Sequence, residues 1–175
     1  MNEKTAEKKP CAFSGRAVYN ENAIKAFCKV QYSAFKKKNQ ILIVLLGIAL
    51  IEECIANNVE VIALVRKNSA KISRLPVSRF VSVYEVDLSD LKSLSCTQPC
   101  DVFYHFAWEG TSKENRDDPR AHFCNVGSTI DAVDLAYHLG CKAFIGAGSQ
   151  AEYGIYSDRI KPETRVDPQS SYGVA

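Results

Sequence analysis

A chain of 175 residues with 46% hydrophobic side chains has the length of one domain, or one domain plus an arm, and enough apolar material to bury a core. Its formal charge of +2 is unevenly placed: residues 1–40 carry nine Lys/Arg against three acids, and residues 41–175 thirteen against seventeen. The core is therefore slightly acidic, which excludes a nucleic-acid binder as the leading reading and leaves the basic stretch as a solvated arm. Seven cysteines are an odd count without disulfide-scaffold spacing, and several sit in apolar runs, which fits a reducing, cytoplasmic setting. Cys96 and Cys100 have no second Cys/His pair at a suitable distance, so no metal is expected. The longest apolar run, ILIVLLGIALI at 41–51, is too short to span a bilayer and too far from Met1, behind too many charges, for a signal peptide.

Residues 1–21 show no hydrophobic period and read as disordered. Over 22–35, Ile24, Phe27, Cys28, Gln31 and Phe35 share one helical face, predicting a short amphipathic helix in an arm that ends at residue 39. From Gln40 the pattern changes. ILIV (41–44) reads as a buried strand, 48–58 as a helix ending on paired Asn, 60–66 as a second strand and 80–88 as a third. DVFYHFA (101–107) reads as a fourth strand. A long helix follows Pro119, with Val126, Ile130, Val133 and Tyr137 at helical spacing and Gly140 at its end. KAFIGAG (142–148) gives a fifth strand. Short apolar strands alternating with helices predict an α/β fold: a Rossmann-like, doubly wound parallel sheet of five strands in the order 3-2-1-4-5, with ligands beyond the carboxyl ends of the strands.

Those ends carry the informative motifs: VDLSD (86–90), YHFAW (104–108), Asn125-Val126 with Thr129, GSQAEYG (148–154), and Pro168 through Tyr172-Gly173. In order and spacing they resemble the extended short-chain dehydrogenase/reductases, the NAD(P)-dependent epimerase/dehydratases of nucleotide sugars. The resemblance runs from about Gln40 to Ala175. It implies a nucleotide-sugar substrate, a dinucleotide cofactor and the frequent pairing of such domains as homodimers. It also implies a catalytic pair: Tyr172 as general acid/base and Ser149 hydrogen-bonded to the reacting oxygen. The lysine expected four residues after Tyr172 would fall on the first position past Ala175. On this reading the chain is an N-terminal piece that precedes the substrate lobe, and by itself is expected to be inactive.

The resemblance assigns cofactor contacts to Gly47, Arg66, Asp87, Leu88, Phe106, Ala107 and Asn125, and sugar contacts to Trp108 and Gln150. Each has a plainer reading. Gly47 is either the last glycine of a three-glycine phosphate turn shortened by roughly four residues, or an ordinary glycine of a buried turn. Arg66, beside Lys67, inclines the choice to NADP over NAD, unless both are simply solvated charges. Asp87 can contact adenine, cap the turn after it, or do both. Trp108 borders the sugar or packs, and His105 reads as a core or supporting histidine. Gln150 and Ala151 stand where the dehydratase branch has an Asp-Glu pair, and neither can move a proton near neutrality. Epimerisation or keto-sugar reduction is therefore expected, and Glu152 reads as a loop carboxylate. The competing reading is a non-catalytic remnant or interaction module that keeps the fold without cofactor turnover.

Overall fold

Apolar runs of four to six residues, too short for helices, pair side by side and all in one direction. The computed structural model describes residues 40–44, 47–157 and 159–175; the basic arm and the helix expected at 22–35 lie outside the described residues. β1 (Gln40–Val44), β2 (Glu60–Val65), β3 (Val81–Glu85), β4 (Val102–His105) and β5 (Ala143–Gly146) form a parallel sheet in the order β3-β2-β1-β4-β5. β1 is central, with Ile41 opposite Val61 of β2 on one side and Val102 of β4 on the other.

Because side chains alternate along a strand, consecutive residues feed two cores. Ile62, Leu64 and Phe103 join Ala132 and Ala136 of the long helix α2 (Pro119–His138) on one face. Val61, Ala63, Val102 and Tyr104 join Leu50, Ile51 and Cys54 of helix α1 (Ile48–Ala56) on the other. Covering both faces is what a strand such as VIALV, apolar at every position, requires. α1 stops where the paired asparagines predict: Asn57 bonds back to the Glu53 carbonyl at 2.7 Å and Asn58 takes φ 57°. Among the described residues no helix is long and apolar enough to cross a membrane.

α2 departs from its sequence pattern in one respect. Val126, Ile130, Val133 and Tyr137 mark the helix, yet the buried positions are His122, Asn125, Ala132 and Ala136. Ile130 and Tyr137 are 58% and 75% exposed. Ala132 and Ala136 pack in the core beside Leu135, and the two polar residues find partners in the loop after β4. An exposed apolar stripe of Phe123, Ile130 and Tyr137 remains on the outside.

Phe103 is fully buried and stacks on Phe144 at 5.3 Å between ring centroids, joining β4 to β5. Phe103→Ala is expected to lower unfolding stability by about 3–5 kcal/mol, read from the urea midpoint at unchanged slope.

Candidate active site

A parallel sheet presents all its carboxyl ends at one edge, so the loops after neighbouring strands meet. β4 ends at His105 and continues as Phe106-Ala107-Trp108; β5 ends at Gly146 and continues as Ala147-Gly148-Ser149. Between these two exits lies a cavity of about 540 Å³ lined by Ala107, Trp108, Ser149, Glu152 and Tyr172.

Ser149 is held by a reciprocal cap. Its hydroxyl oxygen accepts from the Ala151 N–H at 3.2 Å, and its own N–H donates to Glu152 Oε1 at 2.6 Å. Gly148 makes room for that carboxylate, since a Cβ there would come within 2.6 Å of Glu152 Oε1. Gln150 opens the short 3-10 turn (Gln150–Tyr153) and faces solvent.

Tyr172 arrives on a single helical turn, α3 (Ser171–Val174), capped by the Ser170 hydroxyl accepting from the Gly173 N–H at 3.1 Å. Gly173 is buried, and a Cβ there would run into the Ala151 carbonyl and lie 3.2 Å from Pro168 Cβ. That close approach seats the Tyr172 turn on the Ser149 turn. From the other side the loop after β4 grips Tyr172: its N–H donates to the Arg116 carbonyl at 3.0 Å, and the Arg116 guanidinium lies 5.0 Å over its ring. Trp108 and His122 meet the same ring edge-on at 6.2 and 5.5 Å.

These aromatic groups are fixed from α2. His122 Nδ1 accepts from the Trp108 indole N–H at 3.3 Å, so its Nε2 carries the proton and donates to the Asn115 carbonyl at 3.1 Å. Asn125, buried, accepts from the Glu109 N–H at 2.9 Å and donates to the Glu109 and Ala121 carbonyls at 2.9 and 3.3 Å. Its amide is thereby committed to the loop that carries Trp108. His105 is tied in a chain: the Thr129 hydroxyl donates to the Asn125 carbonyl at 2.9 Å and so must accept from His105 Nε2–H at 3.2 Å. Burial lowers the His105 pKa to about 4, and its Nδ1 is a buried acceptor with no partner among the described residues.

The positions assigned to a dinucleotide lie along the same edge. Gly47 precedes α1 as an N-cap without a side-chain bond, and its carbonyl accepts the helix bond from Ile51 N–H at 2.7 Å. The first N–H groups of α1 therefore have no side-chain cap, which suits a pyrophosphate. The connection from Val44 to Ile48 is three residues long, two of them outside the described residues. Asp87 caps the turn Leu88–Ser93 by position but makes no side-chain cap bond, so its carboxylate remains available, and Leu88 packs on the core. Arg66 is exposed beyond β2, whereas Lys67 is paired with Asp90 at 3.0 Å. Ala107 is buried and small, and Phe106 leans on Tyr104 at 5.7 Å on the α1 side of the sheet.

Two contributors were legible but undervalued. Ser149-Gln-Ala-Glu152 is a capping-box spacing, which explains Glu152, and Gly173 follows Tyr172 as a small residue at a crowded helix start. Arg116 and His122 leave no local sequence signal, because their roles depend on the loop after β4 folding back onto α2.

Gly173→Ala is expected to cost about 1–3 kcal/mol and to weaken the near-ultraviolet signal of Trp108, the chain's one tryptophan, as the Tyr172 turn is pushed away. His105 gives a pH signature. Its folded pKa, about 4, is below the ordinary 6.5, so the unfolded chain binds more protons between these values. Its contribution is complete above pH 6.5 and falls by about 3 kcal/mol as pH drops toward 4. Urea midpoints of the wild type should fall as pH drops across that window, and those of His105→Gln should lack that part of the fall.

The site can now be set beside known proteins. The NAD dependent epimerase/dehydratase family model matches residues 45–175. No curated protein sequence matches the chain significantly. Among solved structures, it is similar to the Bordetella bronchiseptica enzyme WbmG in complex with NAD, at 23% identity and TM-score 0.62, covering 79% of this chain and 47% of that one. The epimerase Mth375 of Methanothermobacter thermautotrophicus gives 19% identity and TM-score 0.67, covering 79% and 44%. The UDP-N-acetylglucosamine 4-epimerase of Methanobrevibacter ruminantium M1, in complex with UDP-N-acetylmuramic acid, gives 19% and 0.64, covering 79% and 47%. The chain thus spans less than half the length of each of these proteins, and at such identities the likeness is one of fold. With the family model matched from the turn before α1 through the Tyr172 turn, the chain belongs to the NAD dependent epimerase/dehydratase family.

Proposed function

We propose that this chain forms the cofactor-facing half of an NAD(P)-dependent nucleotide-sugar epimerase or keto-sugar reductase. The observation that carries the reading is the convergence of Ser149 and Tyr172 on one cavity beside Ala107 and Trp108. Further support comes from WbmG, solved with NAD and UDP, and from the Methanobrevibacter epimerase, solved with a UDP-sugar acid.

In this reading a bound nicotinamide supplies the hydride acceptor and donor. Tyr172 removes or returns the proton of a sugar hydroxyl as the carbon beneath it is oxidised or reduced. Its hydroxyl makes no hydrogen bond to a described residue, which leaves it for the ligand. Ser149 Oγ already accepts from Ala151 N–H, so its own proton is free to donate to the reacting oxygen. Ala107 keeps the floor of the cavity low and Trp108 edges the sugar side, while Gln150, outside the cavity lining, would meet the sugar only from the solvent side. Gly47 and the α1 terminus take the pyrophosphate, Asp87 and Leu88 the adenine, and Arg66 a 2′-phosphate, which favours NADP. Asn125 acts through the loop it holds. Gln150 and Ala151 supply no acid or base for dehydration. A second copy would pack on the Phe123, Ile130 and Tyr137 stripe of α2. The three-residue connection before α1 is the observation that favours the second reading, a fold kept without cofactor turnover.

Titration with NADH and NADPH, followed by energy transfer from Trp108, separates the two. Saturable binding, with Arg66→Glu moving preference toward NADH, supports the first reading; binding of neither dinucleotide supports the non-catalytic one. The 175-residue chain alone is expected to be inactive on a nucleotide-sugar panel; in a longer protein carrying this half, Tyr172→Phe should retain cofactor binding and lose about 10²–10⁴-fold in turnover.

A further inference from the structure

The cavity beside Ser149 and Tyr172 is electrically one-sided. Among the residues that line it, Glu152 carries the one acidic side chain, and there is no lysine or arginine. The lining imidazole, His105, is kept neutral by burial, which lowers its pKa to about 4. Arg116 lies over the Tyr172 ring but is not part of the lining. The Glu152 carboxylate is anchored through one oxygen only. Its Oε1 accepts from the Ser149 N–H at 2.6 Å, and its Oε2 makes no hydrogen bond to a described residue. A carboxylate has about four lone-pair positions, and this cap occupies one. The backbone of Glu152 is fixed as well: its N–H donates to the Ser149 carbonyl at 3.1 Å, and its carbonyl accepts from the Asp167 N–H at 3.0 Å. A half-buried, immobilised carboxylate with unused acceptor capacity thus borders the cavity.

We propose that Glu152 is a specificity-determining residue of this cavity: its unused oxygen accepts from a hydroxyl or ammonium group of the sugar, and its charge turns away sugars that carry a carboxylate. The assignment rests on the nucleotide-sugar reading of the cavity and names the class of sugar it takes. Ser149 Oγ serves the reacting oxygen, and the Glu152 carboxylate is one hydrogen bond from the Ser149 backbone, so the group it meets is a neighbour of the reacting hydroxyl on the ring. A neutral sugar offers O–H donors there, and a bond from such a donor to a carboxylate is shorter and stronger than one between neutral groups. A sugar acid brings a second negative charge to a lining that holds no cation to offset it. Glu152 touches a substituent of the sugar and moves no proton at the reacting carbon. Its two tasks are separable by chemistry: a glutamine carbonyl at this position still accepts from the Ser149 N–H, but carries no charge.

The test saturates the chain with NADH and then titrates it by calorimetry with UDP, UDP-glucose and UDP-glucuronic acid. The two sugars differ only in a hydroxymethyl group against a carboxylate. UDP-glucose should bind at least about tenfold more tightly than UDP-glucuronic acid, and Glu152→Gln should bring that ratio close to one. Ala175, the terminal residue, also lines the cavity, but it is the same in both proteins, so a ratio that changes on Glu152→Gln belongs to Glu152. Equal wild-type affinity for the two sugars, no gain of either over UDP alone, or an unaltered ratio in the folded variant overturns the proposal while the nucleotide-binding reading stands. Failure of NADH to bind overturns that reading, and the proposal with it. Where the variant does not fold, the wild type decides: a like-charge penalty narrows as salt is raised, and a ratio independent of salt overturns the assignment.

Discussion

The cleft side of the molecule hangs from one buried amide. Asn125 joins α2 to the loop after β4 through two hydrogen bonds to Glu109, and its third, to the Ala121 carbonyl, stays within the helix. A buried backbone N–H left without a partner costs on the order of 1–3 kcal/mol, so this loop has no cheap alternative position. Once Glu109 is fixed, Trp108 is fixed, and His122 takes its indole proton. The same loop then returns through Arg116 to hold Tyr172 from above and behind. A polar side chain in the helix core thus sets the place of an aromatic group from another element.

This explains which parts of the structure could be read from sequence. The parallel α/β arrangement was legible because VIALV, VFYH and AFIG are apolar at successive positions, a pattern that only two-sided burial satisfies. The ends of α1 and α2 were legible because Asn57-Asn58 and Gly140 meet local backbone demands that no distant contact alters. The meeting of Ser149 and Tyr172 was legible through motif order, since strand exits of a parallel sheet share an edge. The buried face of α2 was not. Apolar spacing points to Ile130 and Tyr137, but the helix turns Ala132, Ala136, His122 and Asn125 inward, with Leu135 packed beside them. Periodicity reports where apolar residues lie, not how much room the sheet leaves them. Glu152 sits between these cases: its capping box is written in four consecutive residues, yet a carboxylate beside Ser149 also looks like an acid for the chemistry.

Electrostatically the floor and the rim of the cleft differ. His105, neutral by burial and fixed as the Nε2–H tautomer through Thr129, presents no positive charge at the end of β4. The ion pairs of the described residues, Lys67–Asp90, Lys92–Asp131 and Lys142–Asp101, stand at the exposed periphery. Such pairs contribute at most about 1 kcal/mol each. The fold therefore rests on its two apolar layers, and the cleft floor is governed by hydrogen-bond geometry.

The seat of the Tyr172 turn has a kinetic side. Neither Tyr172 nor its neighbours on the turn belong to the two apolar layers. What keeps it formed is contact across long stretches of chain, with Ala151 beneath and Arg116 above. Such a segment can detach and reseat while both cores stay intact, so its amides should exchange with solvent far sooner than those of β2 or β4. The two hydroxyl-bearing residues of the cleft are therefore held differently: Ser149 is closed within its own turn, and Tyr172 depends on contacts with distant parts of the chain.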